Sequence, residues 1–257
     1  MRRSGILLHI SSLPSPWGIG TLGLEAYKFI DFLDASKIGV WQMLPTGPTG
    51  YGDSPYQGFS AFAGNPYFID LDMLCEDGLL KPYEYINLNW GDSPEKVDYH
   101  MLYEHRFGVL HAAYERFIGV CGRDFDDFKQ NNPGWLSDYS LFMALKGFYK
   151  GAPWYDWEEN VKNRVPSAIK KLGEKLAYEI GFHEFTQYIY SRQWRKLKLY
   201  AKDHDVMLMG DMPIYAALDS ADVWANAGLF LLDDLKRPIS VAGVPPCLLY
   251  TSPSPRD

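Results

Sequence analysis

The chain has 257 residues, with 25 Lys and Arg against 32 Asp and Glu, a net charge of −7 and 47% apolar residues. That length buries a sizeable core in one large domain or two small ones, and the apolar share excludes wholesale disorder. The acidic balance argues against a nucleic-acid binder, and no apolar run reaches the ~18–20 residues of a membrane helix. The first ten residues carry too short an apolar stretch for a signal peptide, so a cytoplasmic location is expected.

Cys75, Cys121 and Cys247 are odd in number, far apart and form no Cys-x-x-Cys pair. Neither a disulfide framework nor a zinc site is suggested, and ordinary buried thiols are expected. Aromatic residues make up 16% of the chain. Aromatic rings fill cores, and their flat faces also suit sugar rings; composition does not separate the two.

In chain order, residues 5–10 (GILLHI) form a short run expected to be a buried strand, and residues 11–20 a Pro- and Gly-rich loop. Leu22, Ala26, Phe29, Ile30 and Leu33 then fall on one helical face. Residues 40–44 (VWQML) make a second strand closed by Pro45, so the unit is βαβ and parallel. Residues 46–66 form a long Gly-, Pro- and aromatic-rich loop of the kind that is usually functional or disordered; its Tyr and Phe residues argue against disorder. From about 97 to 149 the pattern is helical in at least two pieces, parted near Asn131-Asn132-Pro133-Gly134. A helix over 168–202 carries Phe182, Phe185, Ile189, Leu197 and Tyr200 on one stripe. It delivers the chain to a third strand at 206–209, also expected to be buried, and then Gly210-Asp211, and Asp219-Ser220 reads as the start of another helix. Three strand–helix units with a mostly helical insertion between the second and third suit an unfinished (β/α) barrel.

Several motifs carry no chemistry on inspection. Gly18 to Gly23 matches G-x-G-x-x-G, but Gly18 lies eight residues beyond Ile10 with two prolines between. A dinucleotide site needs its first glycine directly after the strand, so the match is a decoy. His100, His105 and His111 scatter around a helix, and His183-Glu184 lacks the second histidine of a zincin. Asp211 differs, because it sits where the third strand ends, and barrel active sites lie at the carboxyl ends of strands. By position alone it is equally a carboxylate capping a turn.

Specific strings resolve more. Leu7-Leu8-His9-Ile10-Ser11-Ser12-Leu13-Pro14-Ser15-Pro16-Trp17-Gly18-Ile19-Gly20 resembles the opening of the 4-α-glucanotransferases, the amylomaltase or disproportionating-enzyme family. Trp41 to Pro45, Gly47 to Gln57 and Ser60 to Pro66 continue the resemblance. So do Phe182-His183 with Gln187, Arg192-Gln193-Trp194, Gly210 to Tyr215, Asp219 to Trp224, and Val241 to Pro246. The resemblance implies an α/β protein of the (β/α)8 TIM-barrel, glycoside-hydrolase type, here incomplete. It also implies a retaining transferase acting on maltooligosaccharides and α-1,4-glucans, with glucose or a maltooligosaccharide as acceptor. No cofactor, metal or obligate protein partner is expected.

Residue by residue, the resemblance implies that Tyr56 packs against a glucose near the cleavage point and that Asp211 hydrogen-bonds a donor sugar. It implies an accessory glucan-binding site at Tyr51 and Tyr103. The family's nucleophile and acid/base lie in motifs after the Val-Pro-Pro segment that this sequence does not contain, so no catalytic residue is assigned in this chain and activity is expected to be lost. Residues 1–50 and 166–246 are expected to be barrel, 51–165 the loop and helical insertion, and 247–257 a non-native tail. Three strands leave two unpaired edges, which predicts poor solubility or misassembly. Two other readings stay open: a non-catalytic α-glucan-binding module, or a different barrel enzyme with chemistry around Asp211 and Asp53.

Overall fold

The computed structural model describes residues 3–50 and 52–240. Three short strands, β1 (Gly5–Leu7), β2 (Val40–Gln42) and β3 (Met207–Met209), form one parallel sheet in the order β1-β2-β3. Ile6, Trp41 and Leu208 share one register row. Trp41 anchors the central strand; it is fully buried, donates its indole N–H to the Leu8 carbonyl at 2.7 Å, and meets Phe29 edge-on at 4.9 Å. The strands are shorter than the apolar runs that announced them, and β1 and β3 are not buried as expected: they are the outer strands, and Leu7, Met207 and Met209 are exposed. Ile10 turns with Ser11 and Ser12 into a 3-10 helix, where the Leu13 N–H returns to the Ile10 carbonyl.

Helix α1 (Leu24–Ala35) buries Ala26, Ile30 and Leu33 at helical spacing. Between β2 and β3 the chain runs through α2 (Leu71–Glu76), α3 (Tyr99–Ile118), α4 (Arg123–Asn131), α5 (Trp135–Phe148), α6 (Glu159–Lys162), α7 (Pro166–Lys175) and α8 (Ala177–Asp203). Helix α9 (Ala221–Ala225) follows β3. The segment expected in at least two helical pieces holds three: besides the parting at 131–134, Gly119 and Gly122 close α3 and open α4. The helix expected over 168–202 breaks at Leu176, where no Gly or Pro marks the change. The stripe itself holds, with Phe182, Phe185, Ile189 and Leu197 buried. The expectation of buried thiols fails: Cys75 is half-buried and Cys121, just past α3, is exposed, while Cys247 lies outside the described residues.

The glycines of the decoy motif serve close packing. Gly18 has φ of +77°, and the Asp70 carboxylate, which accepts from Thr21 Oγ1 at 2.6 Å, occupies the space a side chain at Gly23 would need. His111 stacks flat on Phe182 at 3.6 Å, a helix-packing role.

The segment 64–70 is held from two helices. Gln187 of α8 accepts from the Gly64 N–H at 2.7 Å and donates to the Gly64 carbonyl at 2.9 Å. Gln193 repeats the arrangement at Asp70, at 2.8 and 3.1 Å. From α3 the fully buried Arg106 donates to the carbonyls of Tyr67, at 2.7 Å, and Ile69. Each buried amide that loses its partner costs ~1–3 kcal/mol. Gln187→Leu is therefore expected to lower the unfolding free energy by about 2 kcal/mol or more in urea titrations; a change under about 0.5 kcal/mol would contradict the assignment.

Burial pushes the His183 imidazole down to about 3 and that of His9 down to about 4. Both stay neutral in the folded chain, whereas the unfolded chain takes up protons near the ordinary value of ~6.5. The stability they contribute is thus complete above that value and is lost as pH falls toward their folded values. The urea midpoint of His183→Gln should fall less steeply between pH 7 and 5 than that of the parent. Parallel slopes would refute this.

Candidate functional site

A cleft of about 480 Å³ opens where the chain leaves β2 and β3, lined by Pro45 to Gly47 after one strand and by Asp211 to Pro213 after the other. This is the carboxyl end of the sheet, where ligand sites of parallel α/β folds gather. The loop after β2 is ordered as a small hairpin: Thr49 pairs with Gly58, and the Gly50 N–H bonds the Gln57 carbonyl at 2.9 Å. Its far limb is pinned at Gly64 by Gln187 and at Ala61 by Asp222, whose Oδ2 accepts the Ala61 N–H at 2.7 Å.

Helix α9 starts where the sequence places it. Ser220 caps it through the Val223 N–H, and Asp219 pairs at 2.7 Å with Lys146, whose ammonium also donates to the carbonyls of Gly151 and Ala152. This anchor fixes Asp222 under the loop. Burial raises the Asp222 carboxyl above the usual range, partly offset by the Ala61 N–H and Ser60 hydroxyl.

Two residues expected to hold sugar meet in this cleft. The Tyr56 hydroxyl donates to Asp211 Oδ2 at 2.7 Å, across 155 positions of sequence. Asp211 Oδ1 accepts the N–H of Met212 at 2.8 Å, so the carboxylate both braces its own turn and holds the tyrosine. That hydrogen bond, with smaller contributions from burial and charge, raises the Tyr56 phenol above its ordinary value. Tyr103 stands elsewhere, on α3, half exposed, donating to Asp53 Oδ1 at 2.7 Å and meeting Tyr67 edge-on. Tyr51 lies outside the described residues.

The cleft walls are aromatic. Tyr190 stacks on Trp194 at 6.4 Å and Phe62 on Trp135 at 6.4 Å, with ring planes within 20° and 19°. Its carboxylates are Asp211 and Asp222, and no Lys or Arg is among the described residues lining it. Such a surface repels anions and suits a neutral, hydroxyl-rich ligand, with acceptors for the hydroxyls and flat rings for the C–H faces. Nor do His, Cys, Asp and Glu gather in threes as metal ligands among the described residues. No helix among them is long and apolar enough to cross a membrane.

The 4-alpha-glucanotransferase family matches residues 8–250. The chain belongs to that family. It is 45% identical over 247 residues to the 4-alpha-glucanotransferase of Streptococcus pneumoniae, covering 95% of this chain and 49% of that protein. It is 46% identical over 250 residues to that of Thermus thermophilus, with the same coverage. An amylomaltase from Streptococcus agalactiae solved in complex with acarbose superposes with a TM-score of 0.93 at 43% identity, over 95% of this chain and 50% of that one. These relatives are glycosyltransferases by name, and the chain spans about half the length of the curated relatives it matches. The shared architecture is amylomaltase-like, with the three-stranded parallel sheet as its strand component here.

Sequence reasoning assigned no role to Phe62, Trp135, Tyr190, Trp194 or Asp222. A signal existed for two of them: Gln187, Tyr190, Ser191 and Trp194 share a helical face, polar and aromatic together, beside the apolar stripe. Trp135 had none, since only the fold brings the start of α5 to the loop.

In NMR titration of ¹³Cζ-labelled tyrosine, the Tyr56 midpoint should lie above the ordinary phenol range and fall in Asp211→Asn. An unmoved midpoint would show that the two groups do not bond in solution.

Proposed function

We propose that this chain carries the substrate-holding part of a retaining 4-α-glucanotransferase site that moves α-1,4-glucan segments between maltooligosaccharides. The observation that carries the reading is the Tyr56–Asp211 contact in an aromatic cleft at the strands' carboxyl ends, with no Lys or Arg among the described residues lining it. Tyr56 packs on a glucose next to the cleaved bond, and Asp211 accepts hydroxyls of a donor-side sugar. Tyr103, half exposed on α3, forms an accessory glucan site together with Tyr51. In this reading β1, β2 and β3 are successive staves of a (β/α)8 barrel, residues 51–165 are its loop and helical insertion, and no cofactor takes part.

Double displacement needs a carboxylate to attack the anomeric carbon while a carboxylic acid protonates the departing glycosidic oxygen. An acceptor sugar hydroxyl then attacks the same carbon, the first carboxylate leaves, and the hydroxyl proton passes to the second. Both carboxylates among the described cleft residues are already engaged, Asp211 by Tyr56 and Asp222 by Ala61. The family resemblance, rather than these contacts, assigns the reacting pair to groups other than these, and the chain by itself to glucan binding. The same observation supports the alternative of a non-catalytic α-glucan-binding module.

Calorimetric titration with maltotriose should show saturable binding, weakened about tenfold or more by Tyr56→Ala and by Asp211→Asn, as expected for hydrogen bonds to a charged group. Unaltered affinity in both variants would overturn the site assignment. Incubation with maltotriose should yield neither glucose nor longer oligosaccharides on chromatography; their appearance would put the reacting carboxylates within this chain.

A further inference from the structure

Beyond the Phe62–Trp135 pair lies a second cavity of about 370 Å³, bordered by the start of α5 and by α9. Phe62, Asn132, Trp135 and Asp222 line both cavities, so the stacked pair is the sill between them. Phe62 is 66% exposed although it stacks on the indole. The indole is fixed in turn: Trp135 Nε1 donates to Asn132 Oδ1 at 3.1 Å, and Asn132 Nδ2 donates to the Phe128 carbonyl at 2.8 Å. The platform is thus set before any ligand arrives, which lowers the ordering cost of binding.

The chemistry of the second cavity narrows its ligand. Asn131, Asp138 and Asn226 place amide and carboxylate groups on its wall, and no Lys or Arg is among the described residues lining it. The N-terminus of α5, capped by Gly134, would by itself attract an anion. Asp222, on the same wall, offsets that attraction, while Asp138 in the first turn is paired with Arg164. A neutral polyol with a flat C–H face meets both conditions.

We propose that this cavity is a distal glucan subsite, in which Phe62 and Trp135 carry glucose units of an α-1,4-glucan whose other end lies at Tyr56 and Asp211. The inference rests on the glucan reading of the main cleft and adds the substrate feature that the site measures, which is chain length. Glucans too short to cross the sill gain nothing from it.

The test is calorimetry of the full chain with maltotriose and maltoheptaose. The parent should bind maltoheptaose about tenfold more tightly than maltotriose, the scale of one well-placed aromatic contact set. Phe62→Ala, and Asn226→Trp filling the cavity, should abolish that advantage, Asn226→Trp leaving maltotriose binding unchanged, while Phe62→Trp should keep it. Persistence of the advantage in both Phe62→Ala and Asn226→Trp would overturn the subsite. If maltotriose binds nowhere yet maltoheptaose binds in a Phe62-dependent way, the subsite stands and the Tyr56–Asp211 reading falls. If neither sugar binds the parent, both fall. Because Phe62 is mostly exposed, its variants should unfold at the parent's temperature, which separates lost binding from lost structure.

Discussion

Everything at the cleft depends on how one short buried segment is held. From Gly64 to Asp70 the chain turns through a 3-10 helix at Pro66–Phe68, whose local bonds satisfy the Tyr67, Phe68 and Ile69 N–H groups. At its two ends Gln187 and Gln193 supply the partners, each side chain presenting one acceptor and one donor to a single residue's N–H and C=O. They imitate a β-ladder from a helix. Arg106 completes the satisfaction from α3. The tightness is visible at Gly64, where any side chain would collide with the Tyr190 ring. A loop gripped this closely can hold Tyr56, Phe62 and the Ala61 amide in place without ligand.

Much of the scaffold was legible because burial and periodicity coincide. The stripe of α8, the cap at Ser220 and the three parallel strands follow from apolar spacing and capping chemistry. The break at Leu176 was not, since no Gly or Pro stands there and packing decides whether one long periodic pattern becomes two helices; the parting of α3 from α4 is marked by Gly119 and Gly122. The glutamines were visible in strings that resembled a family, but their role required a partner 123 residues away. Non-local hydrogen bonds leave no periodic trace.

The same division applies to the site. Tyr56 and Asp211 were assigned by matching strings, and the structure brings their side chains to 2.7 Å. Spacing alone left Asp211 between a turn brace and a ligand contact, and its two oxygens divide those tasks. Phe62 and Trp135 escaped because an exposed aromatic residue is ordinary in sequence and becomes informative only when it stacks at a cavity mouth. Among the described residues no further strand pairs with the outer edges of β1 and β3.

Preorganisation of the cleft by the two glutamines is the central claim, and amide hydrogen exchange at Gly64 and Asp70 tests it most directly. Without any glucan, both N–H groups should be protected as strongly as the buried amides of α8. Exchange at the rate of an unstructured loop, slowing only when maltooligosaccharide is added, would show instead that the ligand builds the cleft.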